Sequence, residues 1–111
     1  MKPSPFWWRS FKTRLAPRRS LNILAGDTLP DRLPRRDLIL MCDDGEDWSV
    51  GLLCPCGCGH RLEMMVLDGV RPRWDVTIDK QGYPTLHPSV SLLTGCRSHF
   101  WVRQGKIVWC E

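Results

Sequence analysis

No apolar run in the chain approaches the roughly 18 to 20 residues needed to cross a bilayer, and the longest are pieces such as Leu38 to Cys42. A membrane span is therefore not expected. Nor is an export signal expected: Arg18-Arg19-Ser20-Leu21 has the outline of a twin-arginine leader, but Asp27, Pro30 and Asp31 interrupt what would be its apolar core. A cytoplasmic location is the expectation. There is no internal repeat or low-complexity tract, and no segment after residue 37 sustains ten residues of helical period. The 111 residues suffice for one small domain but not for a second core. With 42% hydrophobic and 25% charged residues, the mixture is globular rather than disordered or fibrous.

What is present is unevenly distributed. Residues 1–36 hold nine Lys/Arg against two Asp, whereas residues 37–111 hold seven Lys/Arg against ten Asp/Glu, so the net charge of +4 belongs to the first segment. That segment also contains five prolines and no sustained apolar period. It reads as an irregular or short-helical basic arm, wrapped over the domain or turned toward a partner. Within it Phe6, Trp7, Trp8 and Phe11 precede Lys12, Arg14, Arg18 and Arg19, a pattern that suits an amphipathic docking segment or aromatics packed back on the domain.

From Asp37 onward the signals are those of short strands. Asp37 to Cys42 is apolar and ends at Asp43-Asp44-Gly45, after which Trp48 to Leu53 alternates loosely. Leu62 to Leu67 is a further apolar run closed by Asp68-Gly69. Trp74 to Ile78 and Tyr83 to Leu86 flank the turn Asp79-Lys80-Gln81-Gly82, and His99 to Val102 and Lys106 to Trp109 flank Gln104-Gly105. The fold expected is mainly β, a small antiparallel domain of hairpins over residues 37–111.

Six cysteines in so short a chain would suggest disulfides in a secreted protein, but three of them alternate in Cys54-Pro55-Cys56-Gly57-Cys58-Gly59. Glycines there allow positive φ and let backbone N–H groups approach sulfur, a turn suited to a thiophilic ion. Three thiolates leave tetrahedral Zn²⁺ one ligand short. Downstream, Cys96-Arg97-Ser98-His99 offers Cys96, His99, or both in place of one upstream cysteine. An iron–sulfur cluster is the competing soft-metal reading, although C-x-C-x-C fits none of the ferredoxin spacings. Cys42 and Cys110 end apolar strands and read as buried free thiols.

Of the three histidines, His60 follows the cysteine turn and His87 lies in a proline-bounded loop, where either can simply be exposed. His99 would be held by a metal ligand three residues before it, and a fixed imidazole is what a general base requires. Ser98 neighbours His99 in an extended segment and so points to the opposite face. Ser89, ten residues before His99, can be returned to the imidazole by a loop; otherwise it reads as a turn serine.

Taken together, the cysteine turn, Trp74, Leu86-His87-Pro88-Ser89-Val90, Cys96-Arg97-Ser98-His99-Phe100-Trp101-Val102 and the terminal Gly105 to Trp109 hairpin resemble the BubE-like proteins. These are small zinc-binding serine peptidases of bacterial ubiquitination-like operons, and the resemblance covers roughly residues 37–111. It implies that Cys54, Cys56, Cys58 and Cys96 bind a structural zinc, that Ser89 is the nucleophile and His99 the base. Amides near Val90 would then receive the oxyanion. It further implies processing of the C-terminus of a ubiquitin-like protein precursor, removal of that protein from targets, and E1-like and E2-like proteins as further partners. No third triad member follows from it; Asp68, Asp75, Asp79 and Glu63 are all available. Two other classes compete: a non-catalytic zinc adaptor with a Trp-rich surface, and a zinc-ribbon nucleic-acid binder using the basic arm. The acidic balance of residues 37–111 opposes the latter.

Overall fold

Leu38, Ile39, Leu40 and Met41 are consecutive apolar residues, and strand side chains alternate between faces, so a strand here needs both of its faces covered. In the computed structural model, which describes residues 16–110, all four side chains are buried. They lie on β2 (Leu38–Asp43), within the order β1 (Leu21–Ala25), β2, β3 (Glu46–Leu53), β4 (Arg61–Met65), β5 (Asp75–Ile78), β6 (Pro84–Ser91), β7 (His99–Arg103) and β8 (Lys106–Trp109). The strands form two four-stranded sheets, β1-β2-β3-β4 and β5-β6-β7-β8. Leu38, Leu40, Val50, Leu52, Leu62 and Met64 of the first sheet share one core with Leu86, Val90, Phe100, Val102, Ile107 and Trp109 of the second. On the other face of the first sheet, Ile39 and Met41 pack with Leu29, Leu33 and Trp48.

The fold is mainly β, as the pattern of turns implies, and the hairpins β2–β3, β5–β6 and β7–β8 stand where the turn residues place them. In the second of these, Asp79 Oδ1 accepts the N–H groups of Gln81 and Tyr83 at 3.0 and 2.8 Å. One pairing departs from the antiparallel rule. Strand β1 lies beside β2 in parallel, from Leu21↔Leu38 to Ala25↔Cys42. A parallel neighbour requires a crossover of about a dozen residues; residues 26–37 supply it and lay Leu29 and Leu33 over the sheet. The strand β1 falls inside the basic segment 1–36, where it leaves no alternation signal because four of its five residues are exposed. Cys42 and Cys110 are free thiols, half-buried rather than buried. The cluster Phe6, Trp7, Trp8 and Phe11 lies outside the described residues. Among the described residues no helix is long and apolar enough to cross a membrane.

Residues 17–20 tie the two sheets together. Ser20 C=O accepts from Leu38 N–H at 2.9 Å, while Arg19 N–H donates to Gly105 C=O at 2.7 Å in the β7–β8 turn. The Arg19 guanidinium donates to Arg36 C=O at 2.9 Å, and Arg36 to Pro17 C=O at 2.8 Å. Gly105 has φ +77°, and a Cβ there would lie 2.5 Å from the Arg19 carbonyl oxygen. Gly105→Ala should therefore cost about 2–4 kcal/mol, from the left-handed backbone and the clash together. Urea denaturation measures this, and a midpoint equal to that of the wild type would show that the strap does not rest on Gly105.

Candidate functional site

Two hairpin connections meet at one end of the sheets. In the β3–β4 connection Gly57 and Gly59 adopt φ +91° and +83°, and the turn is closed by Cys54 N–H donating to His60 C=O at 2.8 Å and Gly57 N–H to Cys54 C=O at 3.1 Å. This wraps three thiols about one point. The fourth comes from the β6–β7 connection, closed by Leu92 N–H donating to Ser98 C=O at 2.8 Å. Within it Arg97, at φ 52°, reverses the chain between Cys96 and the start of β7.

The Sγ atoms of Cys54, Cys56, Cys58 and Cys96 all lie within 4.8 Å of one another. Their separations include 3.4 Å for Cys54–Cys56 and 3.7 Å for both Cys54–Cys96 and Cys58–Cys96. A disulfide would need about 2.05 Å. A tetrahedron with metal–sulfur bonds of about 2.3 Å has edges of about 3.8 Å, so the four thiols are spaced to hold one metal ion. A multi-iron cluster would spread its thiolates further apart. No histidine belongs to the set, which resolves the choice left by Cys96-Arg97-Ser98-His99 in favour of Cys96.

The thiols also differ in acidity. Burial pushes Cys54 up. Burial would raise Cys96 as well, but hydrogen bonds from the Ser98 hydroxyl and N–H, with those of the Cys56 and Cys54 thiols, bring it down to about 6. An ionised thiol among sulfur neighbours is the donor a soft cation requires. Ser98 is fully buried, with Oγ 3.1 Å from Cys96 Sγ and accepting from the Cys54 thiol at 3.6 Å. The alternation that makes Ser98 a poor nucleophile for His99 turns it toward the thiols.

His99 opens β7 directly after this loop. Val90 pairs with Phe100 and Ser91 with His99; Val90 and Phe100 are buried in the core, so alternation puts Ser89 and His99 together on the opposite face as diagonal neighbours. Ser89 Oγ lies 2.9 Å from His99 Nε2. The β6–β7 register also shifts between Leu86 and Val90, a bulge of the kind that re-aims side chains. A hydroxyl within hydrogen-bond reach of an imidazole is the arrangement of an activated nucleophile.

Other expectations fare differently. His60 and His87 are exposed; the His87 ring lies 5.7 Å from that of Trp101. Among the described residues no carboxylate hydrogen-bonds His99. Asp68 and Asp75 pair with Arg73 at 3.0 and 2.7 Å, Asp79 caps its turn, and Glu63 stands on the other sheet. Val90 is poorly placed for an oxyanion. The Leu92-to-Ser98 bond sets the phase of the ladder, so the amides of Val90 and Leu92 face β7 while those of Ser89 and Ser91 face away from it. Ser89's own N–H, beside Val90, faces the open side. Trp74 has a role that no local motif signals: its indole N–H donates to Ser89 C=O at 3.3 Å, and its backbone N–H to Met65 C=O at 2.8 Å. It thereby anchors the serine segment to the first sheet.

No curated protein matches the chain, and no solved structure does. One family does: the model described as "Bacterial ubiquitination-like system serine protease (BubE)" matches residues 25–110. That span covers both cysteine-bearing loops, the whole second sheet and the Ser89–His99 pair, and this chain belongs to the BubE family.

Proposed function

We propose that this protein is a cytoplasmic serine peptidase that cleaves the C-terminal extension from a ubiquitin-like protein precursor and releases the same protein from its conjugates. The observation that carries this reading is the 2.9 Å approach of Ser89 Oγ to His99 Nε2, in a chain whose family is described as serine proteases of bacterial ubiquitination-like systems. Ser89 Oγ attacks the scissile carbonyl while His99 takes its proton, and the Ser89 N–H donates to the oxygen as it becomes negative. His99 then returns the proton to the leaving amine. Water, activated by the same imidazole, releases the acyl group. Among the described residues no carboxylate bonds the ring, so the imidazole is oriented by β7 itself and by the loop that Cys96 anchors.

The four thiols fit zinc, and Cys54, Cys56, Cys58 and Cys96 would hold it; when bound, it supplies a structural cross-link between the two loops. Four thiolates fill its shell, so proton transfer falls to His99. E1-like and E2-like proteins of the same system are the further partners we propose. Incubating the protein with the ubiquitin-like precursor and weighing the products should give the precursor shortened by its extension. A precursor that keeps its mass, in the presence of folded, metal-loaded protein, would refute the proposal.

A further inference from the structure

The first sheet ends at β4, and the ladder bonds there have a readable phase. Cys54 N–H donates to His60 C=O and Val66 N–H to Trp48 C=O, so the even-numbered residues of β4 turn their backbone groups to β3 and the odd-numbered ones turn theirs outward. Of the outward groups, Met65 C=O accepts from Trp74 N–H. Those of Arg61 and Glu63 have no backbone partner among the described residues. The second sheet offers a matching edge. Strand β5 begins at Asp75, opposite His87, so β6 from Ser89 to Ser91 has no strand on that side. Trp74 takes Ser89 C=O through its indole, which leaves the outward groups of Ser91.

These two edges border one groove, of about 300 Å³, with Leu62, Met64, Trp74, Val90 and Leu92 among its lining. Val90 and Ser91, the two residues that follow Ser89 in β6, line it. Unpaired N–H and C=O groups along a strand edge are the recognition surface for an extended chain, which supplies main-chain partners while alternate side chains enter an apolar floor. Pairing along such an edge calls for an extended segment, which a tail supplies and a folded surface does not. We propose that the groove between the Arg61–Glu63 edge of β4 and the Ser91 edge of β6 holds the extended tail of the substrate as an added strand. A tail paired along the Ser91 edge would continue past Ser89, two residues earlier on the same strand, and the inference rests on the peptidase reading above. Trp74, which lines the groove, is then a positioning residue that holds Ser89 C=O.

The test uses a ten-residue peptide spanning the cleavage site of the ubiquitin-like precursor, added to the Ser89→Ala protein so that it is not turned over. Amide hydrogen exchange followed by NMR should slow at Glu63 and Ser91 by at least about tenfold, with the buried amides of β2 unchanged. N-methylating alternate amides of the same peptide should lower kcat/KM in the wild-type protein by about tenfold for each main-chain bond lost. Unchanged exchange at both amides under saturating peptide, or equal cleavage of methylated and unmethylated peptides, would overturn the groove assignment. Hydrolysis of p-nitrophenyl acetate judges the serine separately. If Ser89→Ala hydrolyses it as fast as the wild type while Glu63 and Ser91 become protected, the peptidase mechanism fails and the groove stands.

Discussion

Cys96→Ser should yield a chain that retains no metal and shows no cooperative melting transition. Cys96 is the one thiol contributed by the second sheet, and the other three belong to the first. Removing it leaves the β6–β7 loop unattached. Structural zinc contributes on the order of 10 kcal/mol in small modules, comparable to the roughly 5–15 kcal/mol of total stability of a domain. Metal analysis of the wild type should return one Zn²⁺ per chain, and native mass spectrometry with circular dichroism should show the variant metal-free and unfolded. A Cys96→Ser protein that melts like the wild type with its metal bound would refute the four-thiol site, and iron in the wild type would refute zinc. Because His99 follows Cys96 by three residues, any residual fold should also lose the Ser89–His99 approach.

Ser89→Ala and His99→Ala should each lower kcat/KM by about 10³-fold or more, and the double variant by little beyond either, because nucleophile and base act as a unit. Neither should lose metal. Both side chains are only partly buried and face away from the core, so each substitution should cost about 1 kcal/mol or less of stability. Single-turnover cleavage of the precursor, read beside metal content and melting temperature, checks all three points. Full activity in Ser89→Ala would end the serine assignment. Loss of metal in His99→Ala would return the histidine to the ligand set, against a geometry in which its Nε2 lies on Ser89.

The hairpins and the first three thiols were legible in the sequence for one reason: turns and the cysteine knuckle are encoded locally, whereas Cys96, 38 residues beyond Cys58, was singled out over His99 only through the family pattern. Asp79 to Gly82 carries its turn in adjacent residues, and Cys54-Pro55-Cys56-Gly57-Cys58-Gly59 bends around its own sulfurs. The Ser89–His99 pair was legible only through the family pattern, since ten residues of spacing do not determine how a loop returns. Strand β1 was not legible, because an exposed edge strand needs no apolar stripe. The availability of backbone amides was equally hidden. Whether Val90 or Ser89 offers its N–H depends on ladder phase, which side-chain alternation does not report. Trp74 illustrates the same gap: its two N–H groups answer carbonyls on different sheets, a relation between segments that no local motif encodes.

The strap at residues 17–20 has a consequence for the order in which the chain acquires its structure during synthesis. The Arg18 guanidinium donates to Gln104 C=O across 86 residues, and Arg19 N–H reaches Gly105 beside it. A segment that closes on a turn 86 residues later has no docking place while the ribosome is still adding the residues between. Contacts of such sequence separation close late and slowly. Strand β1 can pair with β2 beforehand, but the bonds that tie the strap to the second sheet wait until the β7–β8 turn is available.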